Sequence, residues 1–62
     1  VDPALAAEIE RNLAILRAAQ VELEASLAAR PDDPQLLELL RYAMQREIEL
    51  LADATAMRAR SI

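Results

Sequence analysis

The chain contains no cysteine, no histidine, no glycine and no lysine among its 62 residues. Without cysteine it can form no disulfide, and nothing in its composition marks an oxidising or a reducing compartment. The joint absence of cysteine and histidine removes the common zinc sites and the Glu-x-x-His pattern of a di-iron bundle. Lack of glycine leaves no phosphate-cradling loop and no glycine-hinged lid. Tyr42 is the single aromatic residue, so no platform exists on which successive bases could stack. Seven arginines face eleven carboxylates, for a net charge of −4, which argues against a nucleic-acid backbone as partner. No apolar run approaches the roughly 18 residues of a membrane span, and no signal-peptide pattern is visible.

What is present is helix-forming. Fourteen alanines and eleven leucines dominate the composition, and both residue types rank high in helix propensity. Three prolines punctuate it, at positions 3, 31 and 34. Pro31 and Pro34 each lack the backbone N–H of a helix interior and clash with the preceding turn, so no helix runs through them. Residues before proline are pushed out of the α region, which applies to Arg30 and Asp33. Asp2-Pro3 and Asp33-Pro34 repeat one start signal, a capping carboxylate followed by proline at the first helical position. The expected elements are helix 1 over about 3–29, a turn at 30–33 and helix 2 over about 34–59.

The fold class is therefore all-α, a single antiparallel two-helix hairpin of coiled-coil character. On helix 1, Ile9, Leu13, Leu16, Gln20, Leu23 and Leu27 recur in steps of four and three, a heptad seam with one polar member. On helix 2, Leu36, Leu37, Leu40, Met44, Ile48, Leu51 and Ala54 form an apolar stripe whose period is longer than a strict heptad. Folding at the corner sets Leu27 against Leu37, Leu23 against Leu40, Gln20 against Met44, Leu16 against Ile48 and Leu13 against Leu51. Glu47 then comes near Arg17 and Gln20. This group, with Asn12 at its border, reads as a polar cluster that fixes register and partner orientation.

Helix 2 has apolar residues to spare. Leu39, Ala43, Leu50 and Met57, with Tyr42 beside them, form a second stripe that one partner helix cannot cover. These five residues are the expected interaction surface. A chain this short buries little on its own, so the predicted remedy is a homo-oligomer, a dimer of hairpins forming a four-helix bundle. Another protein's helix in the same groove is the other possible occupant.

Catalysis and cofactors are not expected. Glu22 and Glu24, like Glu47 and Glu49, lie two apart and face different sides of a helix. Glu49 and Asp53 share a face, but no ligand loop accompanies them. Ser26, Thr55 and Ser61 have no base to activate them. A membrane-surface role is disfavoured by the acidic balance and the scarcity of aromatics. A chain starting at Val1 rather than methionine is expected to be a fragment of something longer.

The run Leu27-Ala28-Ala29-Arg30-Pro31-Asp32-Asp33-Pro34-Gln35-Leu36-Leu37, followed by Leu40, Tyr42-Ala43 and Glu49-Leu50-Leu51, carries a resemblance. It resembles the long helical hairpin found beyond the membrane span in bacterial anti-sigma proteins of the zinc-finger class, over about residues 10–52. That family's His-x-x-x-Cys-x-x-Cys zinc segment is absent here, so the sigma-binding part lies elsewhere. The resemblance implies a periplasmic sensory or dimerisation segment of an inner-membrane transcription regulator. Without that kinship a cytoplasmic setting is expected, and the rival reading is a passive coiled-coil stalk with no specific partner.

Overall fold

The structure, a computed structural model, describes residues 2–60, so Val1 and the candidate nucleophile Ser61 lie outside the described residues. It consists of two helices, α1 (Pro3–Ala29) and α2 (Pro34–Arg60), packed along each other as an antiparallel hairpin. The molecule measures 47 × 15 × 12 Å, close to the roughly 40 Å that 27 residues span at about 1.5 Å each.

Both helices begin as their sequences dictate. The Asp2 carboxylate accepts a hydrogen bond from the Ala4 amide at 2.9 Å. Asp33 does the same for α2, its Oδ1 accepting from the amides of Gln35 at 2.9 Å and Leu36 at 3.2 Å. These contacts satisfy amides that the first helical turn leaves without partners. At the end of α1 the Arg30 amide donates to the Ser26 carbonyl at 2.9 Å, and the Asp33 amide donates to the Arg30 carbonyl at 3.2 Å. The second bond closes a four-residue turn with Pro31 in the position proline favours. Asp33 thus ends the turn with its amide and starts α2 with its carboxylate.

The inward face of α1 is Ala6, Ile9, Leu13, Leu16, Gln20, Leu23 and Leu27, all buried or half-buried. On α2 the inward face is Leu36, Leu40, Ala43, Glu47, Leu50, Ala54 and Met57. Both rows advance in alternating steps of three and four, so two seams of one heptad period close on each other. Among the described residues only Ile9, Ala43 and Leu50 are buried, and none of them completely, a core as thin as the chain length foretells.

Helix 2 is rotated from the expected orientation. Leu37, Met44, Ile48 and Leu51, expected inside, are 43–62% exposed. Ala43 and Leu50, expected on an outer interaction stripe, are 4% and 5% exposed and belong to the seam. The expected register moves with the rotation, because Gln20 bonds Glu47 rather than lying against Met44. Period is the physical reason. A row that advances more slowly than a heptad drifts around its helix and leaves a strict-heptad partner within a few turns. The row through Ala43, Glu47 and Leu50 keeps pace with α1 along its whole length, and it gives Gln20 a partner.

Truncation separates the two placements. Leu50→Ala should lower the unfolding free energy by about 2–5 kcal/mol, whereas the exposed Ile15→Ala should stay within about 0.5 kcal/mol. Denaturant titration of both variants measures this, and equal losses would mean that the seam does not run through Leu50.

Candidate functional site

Two features of the hairpin bear on function: a polar contact inside the seam and an apolar row outside it. The polar contact joins three residues from both helices. Arg17 and Gln20 lie one turn apart on α1, and Glu47 projects from the middle of α2 toward them. Arg17 Nε donates to Glu47 Oε2 at 2.9 Å, and Gln20 Nε2 donates to Glu47 Oε1 at 3.1 Å. Each carboxylate oxygen therefore has its own donor. The Glu47 side chain is 22% exposed, while that of Arg17 is 60% exposed. Arg17 reaches in from the rim, and solvent screens the charge–charge part of the contact. Asn12 stands apart from this cluster, exposed on the other flank in a shallow hollow with Glu8 and Asp53.

The two bonds act on the Glu47 carboxyl in one direction. The Arg17 contact first, and the Gln20 contact second, hold it below the ordinary 4.5, against a smaller opposing effect of burial. Its folded value is depressed, so its contribution to stability is present above the ordinary value and is lost as pH falls through the folded one. What the arrangement can do chemically is limited to holding two helices in one relation.

Several other residues considered for chemistry have structural partners. The Thr55 hydroxyl donates to the Leu51 carbonyl at 2.9 Å, an internal helix contact. Glu49 accepts from Arg46 at 2.7 Å and Glu38 accepts from Arg41 at 3.3 Å, both one turn apart on α2. Ser26 is half-buried, with its carbonyl accepting the Arg30 amide.

The five residues expected to form an interaction stripe do not stay together. Ala43 and Leu50 are inside the hairpin, and half-buried Met57 packs by Ile9 near the open end. Leu39 and Tyr42 remain outside, at 49% and 66% exposure, flanking a hollow that also holds Ala19 and Leu23. The exposed apolar row is instead Leu37, Met44, Ile48 and Leu51. Sequence reasoning counted those residues and placed them in the core. The signal that would have placed them outside was the heptad step from Ala43 through Glu47 to Leu50.

No family model, curated protein or solved structure matches the chain. Among the described residues, no helix is long and apolar enough to cross a membrane.

Two measurements test the polar contact. Thermal midpoints should fall as pH is lowered from 4.5 through the depressed value of Glu47, and Glu47→Gln should flatten that part of the curve. An unchanged slope would show that the contact contributes nothing. The double variant Gln20→Leu/Glu47→Leu should melt higher than the parent, because an apolar pair of similar volume loses no solvation on burial. A lower midpoint would mean that the polar pair is itself a net source of stability.

Proposed function

We propose that the hairpin is a protein-interaction module that works by self-association and carries no catalysis of its own. The observation behind this reading is the exposed row Leu37, Met44, Ile48 and Leu51 on a molecule with three buried residues among those described. Such a row is larger than the single exposed apolar residues that any surface carries, and on small proteins it marks an interface.

Surface area supports the same reading. The chain exposes 4818 Å², whereas a compact monomer of its mass exposes about 4000 Å² on the usual size scaling. The elongated 47 × 15 × 12 Å shape accounts for a surplus of this kind, and it leaves room for the roughly 800 Å² that each partner buries in a standard protein interface. A passive stalk would not need this row, since a spacer helix is served by polar residues on every outward face. Within the proposal, the setting is the extracytoplasmic helical part of a bacterial anti-sigma-type regulator. Its support is the alanine-rich helix, the proline corner and the leucine-rich helix with Tyr42 that carry the resemblance. Flanking gene sequence tests the setting: a membrane span preceded by a Cys/His cluster supports it, and their absence overturns it.

Sedimentation equilibrium at micromolar concentration should report a dimer or a larger species. Ile48→Glu changes a residue outside the seam, so helicity by circular dichroism should be kept. The dissociation constant should nevertheless rise about tenfold or more, the response to losing about 1.4 kcal/mol. A wild-type chain that stays monomeric at high concentration overturns self-association.

A further inference from the structure

Leu37, Met44 and Leu51 have a symmetry that a mixed interface would not require. Leu37 and Leu51 lie seven residues, or two helical turns, on either side of Met44, on the same flank of the seam. A row that reads the same from both ends fits itself in antiparallel orientation, which is the condition for a twofold contact between identical subunits.

Resting on the self-association reading, we infer that two copies join through α2 against α2, antiparallel, about a twofold axis at Met44. Leu37 of each copy then lies over Leu51 of the other, and the two Met44 side chains meet on the axis. The turns of the two hairpins point to opposite ends of the assembly.

Charge favours this arrangement over its competitors. Arg41 pairs with Glu38, so the turn residues Asp32 and Asp33 leave the start of α2 acidic, and Arg58 and Arg60 outnumber Asp53 and leave its end basic. Antiparallel pairing carries each basic end over the other copy's turn, where the two aspartates outnumber Arg30. The macrodipoles also run in opposition. Parallel pairing sets Arg58 and Arg60 against themselves and gathers four turn aspartates at one end. A third arrangement lays α2 on α1 of the other copy. The flank of α1 beside the apolar row carries Glu10, Arg17 and Glu24 at seven-residue intervals; Glu10 borders a hollow with Leu51, and Arg17 bonds Glu47. Covering those charges with leucine and methionine would strip their water without supplying partners.

The chain has no cysteine of its own, so single cysteines report orientation without background. Leu37, Met44 and Leu51 are 43–51% exposed, so replacing any of them leaves the seam intact, which circular dichroism checks. A disulfide needs Cα atoms within about 7 Å. Under mild oxidation, Met44→Cys should link to itself. An equimolar mixture of Leu37→Cys and Leu51→Cys chains should yield the mixed disulfide, whereas Leu37→Cys alone should not link. Self-linking of Leu37→Cys means parallel pairing and overturns the inference. A dimer by sedimentation that gives neither the Met44 link nor the mixed link overturns it too, while leaving self-association in place. A monomer at every concentration overturns both.

Discussion

The hairpin depends on one constraint: two helices of 27 residues each must keep the same face toward each other from the turn to the open ends. An α-helix and a row of side chains stay in phase only when the row's period suits the winding of the pair. The α1 row admits one such period, because Ile9, Leu13, Leu16, Leu23 and Leu27 offer no second apolar face. Helix α2 is less decided, with apolar residues over more than half of its circumference. The orientation of α2 is therefore chosen by α1, and everything it carries outside the seam follows from that choice.

Gln20 and Glu47 occupy matching seam positions, and each would be a liability alone. An amide facing leucines costs on the order of 1–3 kcal/mol when unpaired. A seam carboxylate facing leucines would fare worse. Opposite one another, with Arg17 closing the second carboxylate oxygen, they become compatible with the seam. Turning α2 by a quarter-circle would strand both. The observed orientation is the one in which both polar groups have partners, the circumstance in which polar residues at coiled-coil core positions act against wrong orientations. The proline turn bears on how far along α1 the second helix starts; the polar contact bears on which way it faces.

That division explains what could be read in advance. The hairpin and its helix starts were legible because proline and capping aspartate act locally, on the residues that carry them. The meeting of Arg17, Gln20 and Glu47 was legible because the turn limits which residues of α2 lie beside Gln20. The rotation of α2 was not. Hydrophobicity ranked the row through Met44 and Ile48 above the one through Ala43 and Glu47, since alanine and glutamate contribute little to such a ranking. A small residue can be a seam member all the same, and Ala43 is buried beside Leu23. The error came from assigning Ala43 and Leu50 to an outer stripe when they are members of the seam with Glu47.

The same rotation moved the interaction surface. With Ala43 and Leu50 inside, the larger side chains of α2, Leu37, Met44, Ile48 and Leu51, were left outside. A seam that takes small and polar members spends little apolar surface on folding and leaves much of it for association. Under the proposed self-association, binding of a second copy to the folded form would draw the folding equilibrium with it. The orientation in which Gln20 meets Glu47 is the one that leaves this apolar row facing outward.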